Sequence, residues 1–294
     1  MKVQKVADYA SDLPEKDDHP YRSGAWRPQH TEYDAWDLDV IGEIPDDLTG
    51  TYLRNTETAV FQPIKRYHPF EGDAMIHSIT FGGGEARYAN RFVKTEGFLA
   101  EQQAGRALWA GIAEHPSNAI AEHGWGARGM LKDAASTDVI VHRGEALASY
   151  YQCGELYRLD PVTLEDRSVS KWGIEYSGRG VAAHPKVDPH TGELLFFNYL
   201  RDDLNLGYGV IDADGEIIFT QGEPETRQVV DAGSVWLLDS IMMDCQARWI
   251  IWGCGTSNTD LRLDSFMSDG QLIPTGVKTG TQQGPLNPND TSVC

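Results

Sequence analysis

Apolar and polar positions change places along this chain mostly with a period of two. Ala86 to Thr95 alternates in the strand period, and Thr137 to His142, Ala146 to Gln152 and Leu156 to Leu159 are short strand-like runs. Arg143-Gly144-Glu145 and Cys153-Gly154-Glu155 separate those runs and read as hairpin turns. Gly192 to Tyr199 and Tyr208 to Thr220 continue the series, the second folded over at Asp212-Ala213-Asp214-Gly215. Short strands at such regular spacing predict an all-β sandwich, barrel or propeller. One segment breaks the pattern: Phe98, Leu99, Ala104, Leu108, Trp109 and Ile112 recur at helical spacing between Gly97 and His115. This predicts an amphipathic helix inserted in a β fold.

The ends differ from the middle. Residues 1–36 are polar and carry Pro14, Pro20 and Pro28, which predicts an extended N-terminal arm. Residues 37–271 read as the β domain, and 272–294, rich in Gly, Pro, Thr, Asn and Gln, as a loose C-terminal tail.

Composition narrows the function classes. With 25 basic and 44 acidic residues the formal charge is −19, which disfavours phosphate backbones, so nucleic acid is not expected as a partner. Ten per cent aromatic residues supply a real core, so the charge reads as a solvated surface and not as disorder. No run approaches the roughly 18 apolar residues of a membrane span, which leaves peripheral membrane contact open. The N-terminus shows no apolar stretch of the signal-peptide kind, and Cys153, Cys245, Cys254 and Cys294 form no C-x-x-C pair. A cytoplasmic protein with reduced thiols is expected.

The nine histidines all lie at or before His190. The most distinctive stretch is Ala183-His184-Pro185-Lys186-Val187-Asp188-Pro189-His190-Thr191-Gly192-Glu193-Leu194. It places a histidine at a strand end and returns the chain through an Asp-Pro turn into an apolar run. A lone histidine in such a place is more often a hydrogen-bonded packing residue than a metal ligand.

Read with what precedes it, this stretch resembles the carotenoid cleavage oxygenases, more closely their lignostilbene and stilbene branch. The resemblance runs through Ile44-Pro45-Asp46-Asp47-Leu48-Thr49-Gly50-Thr51-Tyr52-Leu53-Arg54-Asn55 and His68-Pro69-Phe70-Glu71-Gly72-Asp73-Ala74-Met75-Ile76-His77. It continues in Tyr88-Ala89-Asn90-Arg91-Phe92-Val93-Lys94-Thr95, Leu131-Lys132-Asp133-Ala134-Ala135-Ser136-Thr137-Asp138-Val139 and Tyr157-Arg158-Leu159-Asp160-Pro161. It implies a seven-bladed β-propeller holding Fe(II) on four histidines, with O2 and a small apolar or phenolic alkene as substrates and two carbonyl products. His184 matches the first ligand. Lys132 matches a lysine that holds a phenolic hydroxyl in the stilbene branch, its plainer reading being a surface salt bridge. His68, His77, Asp73 and Asn90 are read as scaffold residues, and Gln152 stands where relatives place a carboxylate against a ligand histidine.

Past Arg227 the resemblance loosens, and Met243 occupies the next ligand position. A thioether is a weak donor for Fe(II). The resemblance therefore implies a propeller represented only by its N-terminal portion, with one matched imidazole that is not expected to retain catalytic iron alone. The alternative expectation is a catalytically inactive β-domain that binds an apolar ligand or a partner.

Overall fold

The computed structural model describes residues 1–111, 114–121, 132–151, 154–170, 180–199 and 206–221, and strands between residues 236 and 273. The chain divides into two compact units, Met1–Arg227 and Gln228–Cys294.

Among the described residues the first unit holds three antiparallel sheets. The first contains β1 (Lys2–Asp8), β2 (Thr31–Trp36), β3 (Gly50–Thr58), β4 (Asp73–Gly82) and β5 (Glu85–Phe92), in the order β1-β2-β5-β4-β3. The N-terminal 36 residues thus supply two strands to this sheet, β2 joining it through Asp34 opposite Ala89. After β5 comes α1 (Glu96–Ala104). The second sheet is β6 (Asp138–His142), β7 (Glu145–Ser149), β8 (Tyr157–Leu159) and β9 (Asp166–Val169), a plain meander. The third is β10 (Lys186–Val187), β11 (Leu194–Tyr199), β12 (Leu206–Ile211) and β13 (Ile217–Gln221). The second unit contains a fourth meander of β14 (Trp236–Met243), β15 (Trp249–Gly255), β16 (Asp264–Phe266) and β17 (Leu272–Ile273). Successive four-stranded meanders are the blades of a propeller. The all-β expectation holds, and the meanders are those of a propeller-family fold.

The period-two pattern has a direct structural meaning in β7. Ala146 and Ala148 pack with Ala74, Ile76 and Val93 of the first sheet region. Leu147, between them, packs with Leu194, Phe196 and Ile211 of the third. Alternate side chains leave opposite faces of a strand, so a blade buried on both sides needs apolar residues at every position. The hairpins are tight: Arg143-Gly144 joins β6 to β7 with φ of 53° and 72°, the left-handed pair that a two-residue loop between twisted strands requires. At the β12–β13 turn the Asp212 carboxylate accepts from the backbone N–H of Asp214 and Glu216, both at 2.9 Å.

The helix is shorter than its apolar periodicity suggested. Thr95 caps its start, its hydroxyl accepting from Phe98 N–H at 3.0 Å, and Gly105 ends it in the left-handed conformation with φ 66°. Leu108 and Trp109 follow as non-helical chain, and Ile112 lies outside the described residues. The sequence signal failed because apolar spacing continued past a glycine that terminates backbone pairing. Phe98 of α1 instead closes a small core with Val60, Phe61, Met75 and Phe92.

Candidate functional site

The site is built outward from the segment 132–138. Asp133 is fully buried, and its carboxylate accepts from Ala135 N–H at 3.1 Å and Glu155 N–H at 2.8 Å. Asn55 of β3 donates to the carbonyls of Ala135 and Asp138 at 2.8 and 3.0 Å, and Ala74 N–H donates to the Ala134 carbonyl at 3.1 Å. This fixes the backbone on which Lys132 stands. Gly154 belongs to the same arrangement, since a Cβ there would lie 2.5 Å from the Asp133 carboxylate.

Lys132 is not a surface residue. Its Nζ lies 2.6 Å from Asp73 Oδ1 at the start of β4 and 2.6 Å from Glu101 Oε2 on α1. The three side chains are only 12%, 5% and 6% exposed. The other Glu101 oxygen accepts from Leu108 N–H at 2.8 Å, holding the chain beyond the helix. Burial alone would lower the Lys132 pKa, but the two carboxylates outweigh it and raise it, so the ammonium stays charged. Burial, assisted by Glu101 and opposed by Lys132, pushes Asp73 up to about 6.

Lys132 and Glu101 face a cavity of about 60 Å³, with Phe61, Tyr67, Trp109 and Tyr150 among its walls. Tyr67 is kept neutral by burial and the nearby acids, and the Arg22 guanidinium lies 5.5 Å above its ring. Asp17 in turn holds Arg22, at 2.8 Å. The N-terminal segment thereby braces one cavity wall.

His184 lies elsewhere in the unit. Its Nδ1 is 3.3 Å from Asp138 Oδ2, and its side chain is 44% exposed. Its backbone φ is 67°, a left-handed conformation strained for a non-glycine residue that precedes proline. The turn after it is locked: Asp188, fully buried, accepts from His190 N–H at 2.7 Å, and Gly192 N–H donates to the Asp188 carbonyl at 2.8 Å. Asp138 is half-buried, and although burial favours its neutral form, the bond from His184 and other favourable contacts leave its pKa lowered. A carboxylate on Nδ1 leaves Nε2 as the atom that could reach a metal.

The remaining candidates are engaged otherwise. His68 Nδ1 accepts from Phe70 N–H at 3.2 Å, while His77 meets Tyr88 Oη at 2.7 Å and Thr56 Oγ1 at 3.1 Å. Gln152 and the Met243 side chain lie outside the described residues. Among the described residues no three His, Cys, Asp or Glu side chains gather as a metal cluster. One imidazole does not make a ferrous site, so the described donors fit iron at a single position only.

Asp73 and Glu101 are the site residues that sequence reasoning missed. Glu101 left a signal, since it falls three positions after the buried Phe98 and so carries a charge on the apolar face of the helix. Asp73 lies in the matched stretch His68–His77 and reads as scaffold; a strand-initiating aspartate is ordinary, and nothing local marks its pairing with Lys132.

The profile of the family described as retinal pigment epithelial membrane protein matches residues 26–243. The chain belongs to this family, the carotenoid cleavage oxygenases. It is 34% identical over 202 residues to an isoeugenol monooxygenase of Pseudomonas nitroreducens, covering 67% of this chain and 41% of that protein. To a lignostilbene-α,β-dioxygenase isozyme III of Sphingomonas paucimobilis it is 32% identical over 203 residues, covering 67% and 40%. A crystal structure of a lignostilbene dioxygenase from Pseudomonas brassicacearum superposes with a TM-score of 0.70 at 21% identity, covering 88% of this chain and 55% of the other. A Synechocystis apocarotenoid oxygenase structure superposes at 0.64. The chain spans about 40% of the length of the two curated relatives. Among the described residues no helix is long and apolar enough to cross a membrane.

Proposed function

We propose that the protein is an Fe(II)-dependent dioxygenase that cleaves a carbon-carbon double bond of a stilbene-like or apocarotenoid substrate with O2, giving two carbonyl products. The observation that carries this reading is the buried Lys132 ammonium facing an aromatic-walled cavity in a chain of this family. Relatives named for lignostilbene, isoeugenol and apocarotenoid oxidation supply the substrate class. Iron, when bound, would supply the activation of O2.

This chain's own residues hold and orient the substrate. The aromatic walls receive a ring, and Lys132 meets a hydroxyl on it. The oxygen of such a group, accepting from the ammonium and conjugated through its ring, supplies electron density to the alkene. His184, its ring oriented by Asp138, is the candidate metal ligand. Further donors than those described are needed to complete a ferrous site.

A second reading is favoured by that single imidazole: a β-domain that binds an apolar ligand without turnover. The two separate in one experiment. The protein and its His184→Ala variant, produced from the protein's own gene and purified without oxygen, are analysed for iron. The dioxygenase reading expects iron in the parent and an approximately tenfold or larger loss in the variant, as removal of a metal ligand or its support brings. Equal iron in both would remove His184 from the site. An iron-free parent that still binds hydroxystilbene saturably would replace the first reading by the second.

A further inference from the structure

Glu101 is the acidic partner of Lys132 on the cavity side, and its chemistry limits what can bind there. An ammonium has three N–H donors. One is donated to Glu101 Oε2 at 2.6 Å, while Asp73 Oδ1 pairs with the ammonium as an ion pair at 2.6 Å. At least one N–H is left for a ligand. Glu101 spends one oxygen on Leu108 N–H and the other on Lys132, and each carboxylate oxygen can accept a second bond. Lys132 and Glu101 both line the cavity, so its wall presents one spare donor beside one spare acceptor.

The charge count points the same way. One cation pairs with two carboxylates, all three nearly excluded from water, and Glu71 adds a further acidic residue to the cavity lining. A carboxylate head group entering the cavity would add a third anion around a single ammonium, at short range and with little screening. A neutral hydroxyl adds no charge. It accepts from Lys132 and donates to Glu101, completing both groups at once.

We propose that Glu101 is a specificity-determining residue: with Lys132 it selects an aromatic ligand headed by a neutral hydroxyl and rejects one headed by a carboxylate. The inference rests on reading Lys132 as the head-group anchor, and it goes beyond that reading by naming the residue that limits the anchor. A free lysine would take a carboxylate more readily than a phenol. A lysine already neutralised by Glu101 and Asp73 does the reverse.

The test is a binding comparison on the whole 294-residue chain, in chelator and at neutral pH, followed by quenching of its tryptophan fluorescence. The probes are para-hydroxystilbene, neutral at that pH, and para-carboxystilbene, an anion. The parent is expected to bind the hydroxyl probe at least about tenfold more tightly, the discrimination that like-charge juxtaposition readily supplies. Glu101→Gln removes one negative charge while keeping the shape, and it is expected to shift the ratio of the two dissociation constants toward the carboxylate by about tenfold or more. Equal or tighter carboxylate binding by the parent, an unchanged ratio in Glu101→Gln, or failure of both probes to bind would each overturn the proposal. Should circular dichroism show the variant unfolded, the parent's ratio alone decides. Neither iron nor bond cleavage is read, so failure of the dioxygenase reading and failure of this one are separately visible.

Discussion

Lys132 sits at one end of the polarity scale for buried residues: a full charge, 12% exposed, held by two carboxylates that are more buried still. Removing one partner of such a cluster costs more than the cluster contributes, because the survivors remain buried and unpaired. Lys132→Met is therefore expected to lower stability by about 3–5 kcal/mol, measured by chemical denaturation. A Lys132→Met/Asp73→Asn pair should recover part of that loss, and simple additivity of the two would contradict the coupling. The pH dependence has a definite sign. The folded-state pKa of Asp73 is raised to about 6 from an ordinary 3.8, so the folded state holds that proton more tightly than the unfolded chain. Its stabilising share is present below pH 3.8 and is lost as pH rises through about 6. Melting temperatures of the parent should thus carry a falling component across that interval, which Asp73→Asn should remove. A parent and variant with parallel pH profiles would show that Asp73 does not hold the proton. At this scale the sequence exposed Lys132 and His184 through a resemblance in which they were matched. It showed Asp73 only as a scaffold residue, because pairing with Lys132 across 59 positions leaves no local pattern.

At the scale of single elements, what positions the site is backbone pairing completed by side chains. Asn90 on β5 accepts from Tyr33 N–H at 2.7 Å and donates to the Thr31 carbonyl at 3.0 Å, so one fully buried amide ties β2 to β5. Asn90→Ala leaves two backbone groups without partners at a cost of about 1–3 kcal/mol each, and a loss below about 1 kcal/mol in urea denaturation would contradict this role. The cap of α1 matters to the site for a different reason, since this helix carries Glu101. Thr95→Ala is expected to lower stability by about 1 kcal/mol, with Thr95→Ser close to neutral, when both are measured by thermal unfolding. Strands with period-two alternation and glycine-marked hairpins were legible from the residues alone. The end of the helix was not, because Leu108 and Trp109 continue the apolar spacing past Gly105 and their burial is satisfied by chain that is no longer helical. The strands of the first 36 residues were also hidden. β1 is almost wholly exposed, with Lys2, Lys5 and Asp8 on its surface, so it carries no apolar stripe to announce it.

For the whole molecule, the blades of the first unit stack because each presents apolar residues on both faces, and the resulting scaffold delivers residues distant in sequence to one cavity. The all-β class followed from periodicity. The propeller followed only from resemblance, since alternation serves a sandwich equally well. His184 and Lys132 reach their places through separate structures, one just before β10, whose turn into β11 is locked by Asp188, the other through a segment pinned between β3, β4 and β6. The central claim, alkene cleavage with Lys132 holding the hydroxyl, is tested most directly by product analysis. The protein produced from its own gene is loaded with ferrous iron and exposed to air with para-hydroxystilbene. Release of benzaldehyde and para-hydroxybenzaldehyde in equal amounts, lost in His184→Ala and reduced about tenfold or more in kcat/KM in Lys132→Met, is the expected result. Recovery of the intact stilbene from the parent, or equal aldehyde yields from parent and His184→Ala, would contradict it.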